Sequence, residues 1–247
     1  MWTTLLHRKI AHAWETFGLL ATGQAGGRPR RGTESPIMQL IAYLDHRRQS
    51  QQATFLTFWD ITKAFDSPSK NVLRASLARL AVPPQWAEWF VAMDMRGGVL
   101  PKSPSAQEFL RTGHRPWEAP SFDQATDLPG SFRTQRGCSQ GDPPSPSHWV
   151  AFFDILLRAL EIGSPEATIL PGRFGLPQTL SDGAFVDDLT TVSPTHTSLQ
   201  RKMDIVSAFA IVFSLIVNIP KLKLLRTLGR SAPIPPHLII HTGQWEP

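Results

Sequence analysis

Two adjacent aspartates, Asp187 and Asp188, stand between Phe185-Val186 and the run Leu189-Thr190-Thr191-Val192. The flanks are strand formers, so the stretch reads as a β-hairpin with both carboxylates at its tip. Aspartate is common in turns, and on this stretch alone an ordinary acidic turn accounts for the pair. A second acidic position changes the weighing. The segment ATFLTFWDIT, residues 53 to 62, reads as a buried strand ending at Asp60, 127 residues before Asp187. A strand ending in aspartate beside a hairpin tipped with Asp-Asp would bring three carboxylates together. Such hard oxygen ligands suit two Mg²⁺ ions held about 3.5 to 4 Å apart, which clamp the attacking and leaving oxygens of an in-line phosphoryl transfer. Burying the three carboxylates without a cation would be costly. The competing reading is two unrelated acidic turns.

The chain has 247 residues and 41% hydrophobic content, enough for a sizeable core in one large domain or two closely packed ones. Its net charge is +5, and the basic residues cluster: Arg28, Arg30 and Arg31 in one loop, and Lys221, Lys223, Arg226 and Arg230 near the end. A polyanionic partner fits, although a solvated basic face has the same composition. One cysteine, Cys138, excludes an intrachain disulfide and suits a reducing compartment, where it is most simply a small buried apolar residue. Arg8 and Lys9 interrupt the first apolar run before a secretory signal core could form. The longest uncharged run, Ile205 to Pro220, is shorter than the roughly 20 residues of a membrane span and reads as a buried helix. The expectation is an intracellular, non-secreted protein of nucleus or cytoplasm, with an organelle as the alternative, and no membrane partner. The eight histidines show no spacing suited to zinc.

Helices and strands alternate along the chain. Residues 3 to 20 and 34 to 50 read as helices separated by a Gly- and Arg-rich loop, 22 to 33. Leu73, Leu77 and Leu80, then Trp86, Trp89, Phe90 and Met93, give two further helices an apolar face each. Residues 97 to 131, rich in Pro, Gly and Ser, read as a long insertion. Trp149, Phe152, Phe153, Leu156, Leu157 and Leu160 recur at i, i+3, i+4 spacing and mark the most strongly patterned helix. Before it lies RGCSQGDPPSP, 136 to 146, a loop with Gly137 and Gly141 that ends in Ser145-Pro146, a helix N-cap followed by a first-turn proline. Glycines let a backbone approach a ligand closely.

In this order and spacing, DITKAFDS, RGCSQGDPPSP and FVDD resemble the three palm motifs of reverse transcriptases, especially those of non-LTR retrotransposons and group II introns. VNIPK, 217 to 221, is similar to the lysine-bearing motif after the catalytic hairpin, and QAGGRPRRGT resembles the fingers loop before the first aspartate. The resemblance runs from residue 5 to about residue 225. It implies an α/β (α+β) fold, the palm of a right-hand polymerase: an antiparallel sheet with packed helices and mostly helical fingers. The implied division is partial fingers over 1–52, palm over 53–228 with its insertion around 97–131, and an irregular tail over 229–247.

The resemblance also implies roles. Asp60 and Asp187 would ligate two Mg²⁺ ions, or Mn²⁺ as a substitute, with Asp188 in support. Phe65 falls where the family has its aromatic steric gate, which excludes a 2′-hydroxyl; the plain alternative is a core phenylalanine. Gln140 and Gly141 would line the nucleotide and template side. Lys221 would protonate the leaving pyrophosphate, or is one surface lysine among several. Arg28, Arg30 and Arg31 would meet the triphosphate or template backbone, since guanidinium pairs bidentately with phosphate. The partners implied are an RNA template, a DNA primer and dNTPs, and the activity is RNA-directed DNA polymerisation.

The sequence departs from the family pattern at Gly27, where an aromatic residue is frequent, at Pro144 in place of leucine, and at Ser214, where a glycine commonly precedes the lysine. None removes a metal ligand. After Lys223 only 24 residues remain, with no primer-grip motif, so the expectation is a fingers and palm fragment whose thumb is missing or truncated. Three alternatives share part of the pattern: an RNA-templated RNA polymerase, a degenerate nucleic-acid-binding relic of a retroelement, and a maturase-like splicing factor.

Overall fold

The computed structural model describes residues 2–96, 136–138, 145–164, 168–171, 177–180 and 182–227. Helix α1 (Trp2–Thr16) is followed by a loop and by α2 (Glu34–Gln49), then by strands β1 (Phe55–Trp59) and β2 (Ile61–Thr62) and a 3₁₀ turn, Ala64–Asp66. Helices α3 (Lys70–Arg79), α4 (Pro84–Arg96) and α5 (Ser145–Gly163) come next, with a ribbon of β3 (Thr168–Pro171) and β4 (Pro177–Leu180). Then follow β5 (Gly183–Phe185), β6 (Asp188–Ser193), α6 (His196–Phe213), β7 (Ile216–Val217), a 3₁₀ turn at Ile219–Lys221, and β8 (Lys223–Arg226).

The main sheet runs β5-β6-β1-β8 and is antiparallel throughout. Alternation along β1 sends Phe55, Thr57 and Trp59 to one face and Leu56 and Phe58 to the other. The first face meets the core built on α5, whose Trp149, Phe152, Phe153, Leu156, Leu157 and Leu160 are all buried. Aromatic rings fill this layer: Trp149 stacks on Phe153 with centroids 5.2 Å apart, and Phe152 lies 5.2 Å from Phe209 of α6. On the opposite face Leu56 and Val192 pack against Tyr43 of α2. Arg47, in the last turn of α2, donates to the carbonyls of Ala53 (2.6 Å) and Pro194 (3.0 Å), tying the start of β1 to the end of β6.

The first helix stops at Thr16, short of the expected residue 20, in a turn where Gly18 takes φ +60°. Residues 34–49 are helical as the pattern indicates. The single strand expected over 53–62 is two, divided at Asp60, because Ile61 and Thr62 leave the main sheet to pair with Val217 and Ile216. The uncharged run from Ile205 to Pro220 is not one helix. It leaves the helix after Phe213, where Ser214 adopts φ +55°, and continues as β7, whose β-branched Ile216 and Val217 favour extended backbone. Ser214 thus occupies in left-handed form the position where the family commonly has glycine. The insertion at 97–131, the tail at 229–247, Arg230 and Pro144 lie outside the described residues.

The α5 aromatic layer should dominate stability. Phe152→Ala, at a fully buried ring packed between α5 and α6, is expected to cost about 3–5 kcal/mol in urea unfolding, whereas truncating the exposed Ile162 should change little.

Candidate active site

Register places the three aspartates. β1 and β6 pair with Trp59 opposite Leu189 and Thr57 opposite Thr191, and extending the same register by one residue sets Asp60 opposite Asp188. Across the hairpin Phe185 pairs with Asp188, leaving Val186 and Asp187 as the two-residue turn. The sequence expectation of a strand-end aspartate beside an Asp-Asp hairpin tip is therefore what the backbone builds. The electrostatics agree. Burial pushes the Asp187 carboxyl above the ordinary aspartate range; its own backbone N–H offsets part of this, and the neighbouring charges of Asp188 and Asp60 push it further. Among the described residues no three or more carboxylate, imidazole or thiolate groups are grouped so as to hold a metal ion as they stand. What the register brings together is three oxygen-donor residues at one sheet end.

Asp60 is already engaged. The Asn218 side chain donates to Asp60 Oδ2 at 2.7 Å, its backbone N–H donates to the Asp60 carbonyl at 2.9 Å, and Lys221 Nζ stands 3.4 Å from the same carboxylate. Asn218 and Lys221 reach it because β7 pairs with β2 and the Ile219–Lys221 turn folds back over the strand end. Lys221 itself is largely exposed.

Phe65 is half-buried and stacks on Trp149 with centroids 5.3 Å apart and planes 28° from parallel. The segment around it is sewn to residues 136–138. Cys138 N–H donates to the Phe65 carbonyl and Gly137 N–H to that of Pro68, each at 2.7 Å, and buried Lys70 donates through Nζ to the Gly137 carbonyl at 2.7 Å. Gly137 has φ +80°, and a Cβ there would come within 2.7 Å of Asp66 Cα, so only glycine fits. The first two motif segments are thereby one structural unit. Gln140 and Gly141 lie outside the described residues.

The three arginines of the loop separate. The expectation that Arg28 meets phosphate is corrected: it is buried, its Nε donates to Glu15 Oε1 at 2.5 Å, and its Nη1 donates to the carbonyls of Ala21 (2.7 Å) and Gln24 (3.2 Å). A guanidinium spent on internal acceptors anchors its loop. Arg30 and Arg31 are exposed, Arg31 with a longer 3.4 Å contact to Glu15. Sequence reading missed Gln24 and Asn218, both neutral amides without a signature of their own; the only signal was their position within the two flanking motifs. Gly27 has φ +71°, and a side chain there would come within 2.9 Å of Val150, which accounts for the absence of an aromatic residue.

A family model described as reverse transcriptase (RNA-dependent DNA polymerase) matches residues 3–230. The chain belongs to the reverse transcriptase family. At 26% identity over 221 residues it is similar to the retrovirus-related Pol polyprotein from the type-1 retrotransposable element R2 of Popillia japonica, covering 88% of this chain and 27% of that protein. This reverse transcriptase chain thus spans about a quarter of the length of the curated relative it matches. Its fold is similar to telomerase from Candida albicans in complex with a fragment of telomeric RNA (TM-score 0.54, 14% identity, 94% of this chain and 34% of that one). It is likewise similar to telomerase from Candida tropicalis (TM-score 0.56, 11% identity, 83% and 30%). The mixed α/β architecture with its antiparallel sheet is that of a right-hand polymerase. No helix among the described residues is long and apolar enough to cross a membrane.

The raised Asp187 pKa has a thermodynamic consequence with a definite sign. A fold that favours the protonated carboxyl draws stability from it fully below the ordinary aspartate value, about 3.9, and loses that stability as pH rises through the raised value. Asp187→Asn stays neutral throughout. With divalent metal chelated, the variant is expected to melt above the wild type at pH 7, and the difference should vanish below about pH 4; thermal scans across this range check it.

Proposed function

We propose that this reverse transcriptase chain carries a two-cation nucleotidyl-transfer site that extends a DNA primer on an RNA template. The observation that supports this most strongly is the register that sets Asp60 opposite the Asp187-Asp188 turn. The donor set fits magnesium or manganese: carboxylate oxygens, no thiolate or imidazole, and mutual repulsion that a cation would relieve. Asp60 and Asp187, with Asp188 in support, would hold two such ions, which would supply Lewis-acid activation of the primer 3′-hydroxyl and neutralisation of the triphosphate.

The remaining work belongs to the chain itself. Asn218 holds Asp60 Oδ2 at 2.7 Å and so orients the carboxylate, whose Oδ1 stands 3.5 Å from Lys221 Nζ. Lys221, on the same turn, carries a proton on Nζ within reach of that site and donates it to the departing pyrophosphate oxygen. Arg30 and Arg31, exposed on the loop after Arg28, meet the triphosphate or the template backbone by charge-assisted hydrogen bonds. Phe65, whose ring stacks on Trp149, serves as the flat ring under the incoming sugar that excludes a 2′-hydroxyl. The template is RNA and the substrates are dNTPs.

Primer extension on poly(rA) primed with oligo(dT), with Mg²⁺, tests the reading directly. Asp60→Asn and Asp187→Asn should each lower the rate at least on the order of 10²-fold with template-primer affinity retained; full activity in either variant would refute the assignment. A second measurement isolates Phe65. Phe65→Ala should raise ribonucleotide relative to deoxynucleotide incorporation in one preparation, because removing a clashing group removes discrimination. A residue that only fills the core would instead lower both rates together through instability of about 3–5 kcal/mol. Template-primer affinity should also fall steeply with salt, and Arg30→Ala with Arg31→Ala should flatten that dependence for all sequences alike.

A further inference from the structure

Val186, between Phe185 and the first hairpin aspartate, has φ +63°. That is the left-handed region, which β-branched residues avoid and where hairpin turns usually place glycine. Such a conformation persists only where the surroundings over-determine it. Here the over-determination comes from two side chains, Gln24 above all. Gln24 is completely buried; its Oε1 accepts from the Val186 N–H and the Gly26 N–H, both at 3.1 Å, and its Nε2 donates to the Val186 carbonyl at 3.1 Å. Trp149 Nε1 donates to the same carbonyl at 2.8 Å. Both polar groups of the Val186 peptide are thus held by side chains from outside the hairpin.

The loop that presents Gln24 is itself fixed. Ala25 N–H donates to the Ala184 carbonyl (2.8 Å) and Ala184 N–H to that of Gly23 (2.9 Å), so the loop closes the outer edge of β5. Gly26 lies so close to the turn that a Cβ would come within 2.4 Å of Val186 N. Asp154, buried in α5, accepts from Ala21 N–H at 2.5 Å, and Arg28 braces the other end of the loop on Glu15.

We propose that Gln24 is a positioning residue, which holds the Val186 turn in its left-handed form and so sets the direction in which Asp187 and Asp188 face Asp60. The chemistry selects the residue type. A primary amide alone accepts two N–H groups through one oxygen while donating to a carbonyl; glutamate has no proton to give at neutral pH, and asparagine is one methylene shorter. Gln24 touches no reacting atom. The proposal rests on the two-cation reading above, and the tests separate the two.

Three variants of the full chain are compared with the wild type: Gln24→Met, which keeps the volume and removes all three bonds; Trp149→Phe, which removes the second donor to Val186; and Val206→Ala, a core truncation on α6 that sets the scale of plain destabilisation. Amide hydrogen exchange over 184–188 reads the turn, and Mn²⁺ titration followed by electron paramagnetic resonance reads the carboxylates. Gln24→Met should speed Val186 exchange at least about tenfold and weaken Mn²⁺ binding about 10–100-fold, the range typical of groups that orient a metal ligand. Trp149→Phe should do both more weakly and combine non-additively with Gln24→Met, since the two share one carbonyl. Val206→Ala should lower the melting temperature and leave Mn²⁺ affinity unchanged. Wild-type exchange and affinity in Gln24→Met would overturn the proposal, as would an equal loss of affinity in Val206→Ala, which would make the effect one of stability. No Mn²⁺ uptake by the wild type at millimolar metal would overturn the two-cation reading, and with it the positioning role; fast exchange in Gln24→Met would then mark Gln24 as a turn clamp alone.

Discussion

The antiparallel register of β1 against β6 carries the rest of the site. A slip of one residue would turn every side chain of β1 to the other face, sending Trp59 and Phe55 to the α2 side and Asp60 away from the hairpin. Several interactions exclude that slip. Trp59 buries its ring in the α5 layer while its Nε1 donates to Thr191 Oγ1 at 3.1 Å across the ladder. At the other end Arg47 bonds to backbone carbonyls just before β1 and just after β6. Asp182 and Lys202 pair at 2.7 Å in the interior, and both bond to Val192 near the end of β6, fixing that strand to α6. The acidic end of the sheet is therefore positioned by contacts made largely at the opposite end.

The parts of this arrangement that were legible in the sequence are those with a strong local pattern. The α5 stripe, the strand before Asp60 and the Phe185–Asp188 hairpin each follow from periodicity or from strand formers flanking a turn. What escaped was decided by pairing partners remote in sequence. Nothing near Asp60 announces that the strand breaks there, because the break exists to let Ile61 and Thr62 meet Val217 and Ile216. The end of α6 at Phe213 was hidden by uninterrupted apolarity, since a buried helix and a strand look alike when both are hydrophobic.

The arginine loop shows the same limit at the scale of single side chains. Arg28, Arg30 and Arg31 are chemically identical and nearly adjacent, yet one is an internal brace and two face outward. The difference lies in Glu15, in the last turn of α1 and outside any recognisable motif, which captures the first. Charge clustering in sequence therefore overstated the outward-facing charge of the loop by one. The amides Gln24 and Asn218 were understated for the opposite reason: neutral residues draw no attention until the groups they orient are seen beside them.

If Asp60 holds a cation as proposed, its contact with Lys221 would make the site its own competitor. The Lys221 ammonium shares the carboxylate that a divalent cation would use on the two-cation reading proposed above, and on that reading the cation-competent form would be the fraction of molecules in which this contact is broken. Apparent affinity for the ion would be reduced by that fraction. A triphosphate arriving with its own negative charge offers Lys221 a better partner and would release Asp60 at the same moment. Ion and nucleotide would then favour each other's binding without touching through the protein, and the site would fill as a pair instead of idling half-loaded.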